Sequence, residues 1–288
     1  MSNLFLSFAA SVARLLPLPV KKALYHSGPL AGMIRKGLNR AAPEGLTQVT
    51  IAAGGLAGYS MILDLQQEKD YWLGTYEPEL QQAILDWVRP DMAIYDVGAN
   101  IGYMTMLFAK QVGESGKVFA FEALPANLER LRTNIKLNHF DSRVVPLPNA
   151  VADRSGDLLF IPGPSGGTGK VQGSAGREFK RANGNQAIPV RGVSLDWIVF
   201  EGEHPAPQVI KMDIEGGEVL AIPGMQRVLR ELRPVVLLEL HGPESAQIAW
   251  ESFSQAGYKL LNMASGYPEI SGLAALPWKA YIVAKPAG

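Results

Sequence analysis

Acidic and imidazole side chains recur at a spacing of two at the ends of the most apolar segments. Asp213 and Glu215 follow "VIKM", and Glu239 and His241 close "VVLLELH". Residues two apart on a strand share a face. If each strand runs through its pair, four polar groups converge where two neighbouring strands end. Such a set can take a proton from a poor nucleophile through a base of near-neutral pKa, His241, or through an acid such as Glu215. Alternatively, Asp213, Glu215 and Glu239 can offer hard oxygen ligands to a magnesium ion that acidifies the reacting group. Residue types leave both routes open.

A second constellation lies upstream in "YDVGANIGY", residues 95–103. Gly98 and Gly102 permit a tight turn and let the backbone approach a ligand where a Cβ would collide. The helix that follows presents N-terminal amides to an anionic group. Glu122 stands twenty residues beyond Gly102, at the end of "KVFAFEA", where a carboxylate can accept both hydroxyl hydrogens of a ribose. The loop reads Gly-x-Asn-x-Gly, not the Gly-x-Gly-x-x-Gly of nicotinamide-binding folds. "GPSGGTGKV" (163–171) imitates a phosphate-binding loop, but five residues separate Gly163 from Gly169 and Val171 follows Lys170. That spacing fails the motif.

These residues need a scaffold, and the patterning supplies one. "QVTIAA" and "YSMILDL" read as a hairpin joined by glycines, and "PELQQAILDWV" as an amphipathic helix. From Pro90 onward, strand and helix alternate. "AIYDVGA", "KVFAFEA", "RVVPLPNAV", "QVIKMDI" and "PVVLLEL" are the strands, with "YKLLNM" and "KAYIVAK" closing the chain. Alternation of this kind predicts a parallel-rich sheet with helices on both faces. The glycine-rich stretch 163–186 carries Lys170, Arg177, Lys180 and Arg181 with little that is apolar. It is expected to be a mobile surface loop covering an acceptor.

Composition narrows the function classes. The chain has 288 residues, 47% of them hydrophobic and 19% charged, which excludes a disordered protein. Its 27 basic and 27 acidic side chains cancel, which argues against nucleic-acid binding through overall charge. With no cysteine, thiolate chemistry and disulfides are excluded. The first acid is Glu44, after Arg14, Lys21, Lys22, Arg35, Lys36 and Arg40. Arg14, Pro17 and Pro19 interrupt the apolar run there, so neither a secretory signal nor a membrane span is read. Residues 1–43 are expected to be a helical cap or an amphipathic contact with anionic lipid. The expected location is cytoplasmic.

The loop at 96–102 resembles motif I of class I S-adenosylmethionine-dependent methyltransferases. "VIKMDIEGGEVLAIPGM" (209–225), with "GTYEPEL" (74–80) and "LLELHG" (237–242), resembles the FkbM family within that class. The resemblance implies a Rossmann-like α/β domain over 74–288, with seven strands in the order 3-2-1-4-5-7-6 and strand 7 antiparallel. Residues 1–73 then form a helical and hairpin extension. It implies methyl transfer from S-adenosylmethionine, usually to a hydroxyl of a sugar, glycan or other small metabolite. On this resemblance Asp96, Gly98, Asn100 and Gly102 line the methionine portion, and Thr75 and Glu77 close over its amino acid end. Glu122 takes the ribose, Ala123 follows along the adenosine, and Asn149, Ala150 and Val151 position the adenine. Asp213 and Glu215 match the acidic motif after strand 4. No nucleic acid partner is implied, and neither the metal requirement nor the oligomeric state is read from the sequence.

Overall fold

The computed structural model describes residues 44–163, 168–177 and 186–288. The basic segment 1–43, with its expected cap or lipid contact, lies outside the described residues, as do Lys180 and Arg181. No helix among the described residues is long and apolar enough to cross a membrane.

The chain divides into two compact units, one up to Pro78 with Lys136–His139, the other comprising the rest. In the first, β1 (Leu46–Thr50) and β2 (Ser60–Asp64) pair antiparallel, Leu46 opposite Asp64 and Thr50 opposite Ser60, as the hairpin pattern predicts. The Asn138 side chain clamps its end, accepting from Ser60 N at 2.9 Å and donating to Ser60 O at 2.7 Å. Helix α1 (Lys69–Leu73) follows and stops at Gly74. Thr75 and Glu77 lie in this unit.

The second unit begins within α2 (Pro78–Trp87). It continues through β3 (Ala93–Val97), α3 (Tyr103–Val112), β4 (Lys117–Phe121), α4 (Pro125–Leu137) and β5 (Val144–Leu147). After an inserted sheet spanning residues 149–193 come α5 (Leu195–Phe200), β10 (Val209–Met212), α6 (Glu218–Ala221) and β11 (Val235–His241). Helix α7 (Pro243–Gln255), β12 (Tyr258–Asn262) and β13 (Lys279–Pro286) complete the chain. The main sheet has the spatial order β5-β4-β3-β10-β11-β13-β12. Counted along the chain within this sheet, that is 3-2-1-4-5-7-6. β13 runs antiparallel to both neighbours, and the remaining pairs are parallel.

Strands buried on both faces read as nearly continuous apolar runs, and β3 and β10, buried along their whole lengths, are interrupted by Asp96 and Lys211. Tyr95, Phe119 and Phe121 cluster there, with the Tyr95 ring 5.4 Å from Phe119 and 5.5 Å from Phe121. The helical stretch after β10 changes pitch, from α6 to a tighter turn at Ile222–Met225 and a wider one at Val228–Leu232. Pro223 and Gly224 account for the first change, since proline removes an amide donor.

Two expectations need correction. "RVVPLPNAV" is not one strand: β5 ends at Leu147, and Asn149–Val151 forms β6 in a separate four-stranded sheet, ordered β6-β9-β7-β8. Pro146 and Pro148 deny the ladder two amide donors. Its other strands are β7 (Gly156–Pro162), β8 (Gly169–Val171) and β9 (Ile188–Val193). The glycine-rich stretch is therefore not all loop. β8 pairs with β7, and Lys170 is buried in it, donating to Ala175 O at 2.9 Å and Arg177 O at 3.0 Å.

Candidate active site

The parallel strands β3, β4, β10 and β11 end together, and the glycine loop leaves β3 at that edge. Gly98 has φ +81°, and a Cβ there would fall 2.0 Å from the Asp213 carbonyl oxygen. At Gly102, φ +94°, it would fall 2.5 Å from Leu131 Cδ1. The bodies these glycines avoid are thus parts of the protein, the end of β10 and helix α4. The loop amides are likewise used internally. Gly98 and Ala99 donate to Phe121 O at 3.0 and 2.9 Å, Gly102 to Ala99 O at 2.9 Å, and Asn100 to Glu122 Oε2 at 2.8 Å.

Glu122 is buried at the end of β4, and its second oxygen accepts from Leu124 N at 2.7 Å. Each carboxylate oxygen has two lone pairs, so capacity remains for two ribose hydroxyls. Burial pushes its carboxyl up to about 7, against the opposing hydrogen bonds from Leu124 and Asn100. Asp96, fully buried, accepts from Thr105 Oγ1 at 2.6 Å. Its Oδ1 lies 3.4 Å from Lys211 Nζ without a hydrogen bond, and Asn100 Oδ1 is also buried without one. These two acceptors, one near the end of β3 and one in the loop, suit a ligand that brings an ammonium and hydroxyl donors, as S-adenosylmethionine does.

Lys211 is a buried cation in an apolar strand. Its Nζ donates to Gly98 O at 2.8 Å and stands 4.0 Å from Asp213 Oδ2. It ties the glycine loop, Asp96 and Asp213 together. Sequence reasoning missed it, although a lysine inside "VIKMDI" is the signal.

The acidic groups meet at His241. β11 runs through Glu239 to His241, so the pair shares a face as the spacing predicts, with Glu239 Oε1 2.8 Å from His241 Nε2. Strand alternation does not reach Asp213 and Glu215. β10 stops at Met212, and Glu215 adopts φ +55° in a turn. That turn brings Glu215 Oε2 to 3.6 Å from His241 Nε2. Glu218, fully buried and also missed, lies 3.5 Å from His241 Nδ1 and accepts from Ser245 Oγ at 2.9 Å. It accepts from Ile214 N at 3.2 Å as well, which holds the turn.

Burial by itself would lower the His241 pKa. The Glu218 and Glu239 carboxylates, with Asp213 nearby, outweigh it and raise the ring to about 10. Burial would raise Glu239, but His241 and Lys279, which pairs with it, hold it down at about 2. At neutral pH His241 is therefore an imidazolium between carboxylates. It is not the free base titrating at pH 6–7 that its residue type suggests. Ligand atoms of Asp213, Glu239 and His241 also lie within 4.8 Å of one another, close enough to hold a metal ion.

Of the other residues singled out by sequence, Ala150 packs with Leu124, Phe160, Val171 and Val190, and Ala123 lies against that cluster. Val151 is buried in β6, paired with Val193, while Asn149 is partly exposed beside Arg191.

A seven-stranded sheet of this order, with a glycine loop after its first strand and an acid ending its second, defines a class I methyltransferase. The family model described as "Methyltransferase FkbM domain" matches residues 96–260, and the chain belongs to that family. Hexuronic acid methyltransferase AglP of Haloferax volcanii is 28% identical over 191 residues, 65% of this chain and 72% of that protein. Among solved structures, the FkbM methyltransferase of Methylobacillus flagellatus KT is 14% identical, with 91% of this chain and 60% of that one covered, at a TM-score of 0.43. Precorrin-6y C5,15-methyltransferase of Geobacter metallireducens GS-15 is 16% identical, covering 74% and 90%, at 0.44. Likenesses at this level carry no functional argument.

Proposed function

We propose that this methyltransferase moves a methyl group from S-adenosylmethionine to a hydroxyl of a sugar. The observation that carries the reading is the cluster of Glu215, Glu239 and Glu218 around His241 at the ends of β10 and β11. The name of the Haloferax relative, a hexuronic acid methyltransferase, supports a sugar as acceptor.

In this reading Asp96, Asn100 and Glu122 hold the cofactor, with Gly98, Gly102, Ala123, Asn149, Ala150 and Val151 lining it. When bound, the cofactor supplies a methyl group on a sulfonium that is displaced in line. Alignment then provides much of the acceleration. As the acceptor oxygen forms its bond to carbon, its hydroxyl proton becomes strongly acidic. A carboxylate within reach is then a sufficient base, and Glu215, about two-fifths exposed, is the accessible one. Its proton passes on to water, while the His241 imidazolium keeps Glu239 charged and holds Glu218 in place.

Asp213, Glu239 and His241 are the residues that would hold magnesium, which would acidify the same hydroxyl. Lys279 and the His241 proton already balance these acids, so the reading proceeds without a metal.

The test is to incubate the full chain with methyl-labelled S-adenosylmethionine and sugar glycosides that include a glucuronide, which offers both hydroxyls and a carboxyl. Label in an alkali-stable methyl ether is the expected product. Alkali-labile label would mark a carboxyl ester and refute the hydroxyl assignment.

A further inference from the structure

Beside His241 stand two side chains that the chemistry above does not use. Trp278, just before β13, is 41% exposed. Its ring meets His241 edge-on, with centroids 6.3 Å apart. The Arg177 guanidinium lies over the indole, 4.9 Å from its centroid. Among the described residues no carboxylate pairs with Arg177. Lys279, the other cation nearby, is engaged by Glu239.

Both side chains are held by the turns that carry the acids. Ala175 N donates to Gly216 O at 2.9 Å, next to Glu215, and Lys170 fixes the carbonyls of Ala175 and Arg177. Gly242 N, next to His241, donates to Trp278 O at 2.7 Å. One exposed tryptophan needs no explanation. An exposed indole under a guanidinium that has no carboxylate partner among the described residues, with both backbones anchored to the site, is a built surface.

We propose that Trp278 and Arg177 form the acceptor subsite, and that it takes a pyranose bearing an anionic group. The indole receives the apolar C–H face of the ring, and the planar guanidinium fork receives a carboxylate or phosphate in bidentate contact. Glu215 and Glu218, beyond the acids that Lys279 and the His241 proton balance, would repel an anion from this edge, and Arg177 supplies the positive charge that meets it. The proposal rests on the reading of this site as a sugar methyltransferase.

The experiment is calorimetry on the full chain loaded with S-adenosylhomocysteine, with methyl β-D-glucuronide, glucose 6-phosphate and methyl β-D-glucoside as probes. One anionic probe should bind about tenfold or more tightly than the glucoside, as a hydrogen-bonded charge pair warrants. Which probe does so identifies the anion. Arg177→Gln should cancel the preference, and Trp278→Ala should weaken every sugar, both with S-adenosylhomocysteine affinity within twofold of wild type. No sugar binding, equal binding of the glucoside, or a preference that survives Arg177→Gln would overturn the subsite. If the glucoside is nevertheless methylated, the sugar reading stands and the subsite alone falls. Wild-type protein that binds no S-adenosylhomocysteine would overturn both.

Discussion

Glu239 Oε1 lies 2.8 Å from His241 Nε2, on a strand that runs through both residues, while Glu218 approaches the opposite ring nitrogen at 3.5 Å. A ring flanked in this way keeps its proton. Its pKa is raised to about 10, so the imidazolium contributes stability that is fully present below its unfolded value of 6.5. That contribution is lost as pH rises toward 10. Denaturation midpoints of wild type and His241→Gln should therefore converge between these limits. An NMR titration should show His241 unchanged across neutral pH in wild type and titrating lower in Glu218→Gln. A wild-type His241 signal with a midpoint near 6.5 would contradict this electrostatic account.

Glu122 gives cofactor binding a pH dependence. Burial raises its carboxyl to about 7, and the ionised form is the better acceptor for ribose hydroxyls. Affinity for S-adenosylhomocysteine should rise from pH 6 to pH 8 in wild type and stay flat in Glu122→Gln. At pH 8 calorimetry should find the variant weaker by about 1–3 kcal/mol, the cost of hydrogen bonds to a charged group. Equal affinities at both pH values would remove the ribose assignment.

Lys211 should prove structural and functional together. Lys211→Met leaves Asp96, which is fully buried, without its cation. Removing one partner of a buried pair costs about 3–5 kcal/mol. Urea denaturation should show a loss of that size, with weaker cofactor binding because Gly98 O loses its donor. A stability change below about 1 kcal/mol would show that the pair is dispensable.

Chelation separates the two routes that the residue types leave open. With Glu239 bound to Lys279 and His241 protonated, extensive dialysis against EDTA should leave turnover within about twofold, since no metal-acidified group is lost. Turnover abolished by EDTA and restored by magnesium would instead assign Asp213, Glu239 and His241 to a metal.

Much of this architecture is legible in the sequence, because buried strands such as "AIYDV" and "VIKM" leave little choice of partner or place. The Glu239–His241 pair is legible for the same reason, since period-two alternation holds as long as the strand continues. For Asp213 and Glu215 alternation fails, because the strand stops at Met212 and Glu215 takes a left-handed turn, and it is the acidic motif that marks them. Glu218 and Lys211 escape notice because their importance lies in long-range partners, Ser245, His241 and Asp96. The four-stranded sheet is hidden by its own composition: β8 is three residues long and is secured by a buried lysine.

The most direct test of the central claim is single-turnover methyl transfer by Glu215→Gln, Glu239→Gln and His241→Gln, once an acceptor is in hand, with cofactor affinity measured alongside. If the cluster receives the acceptor's proton, Glu215→Gln should lose about 10²–10⁴-fold in rate, the usual worth of a general base. S-adenosylmethionine affinity should remain within about twofold, because Glu215 makes none of the contacts assigned to the cofactor. His241→Gln and Glu239→Gln should fall with it, since they position the same carboxylate. Wild-type rates in Glu215→Gln and His241→Gln would contradict the account and leave alignment alone to explain the reaction.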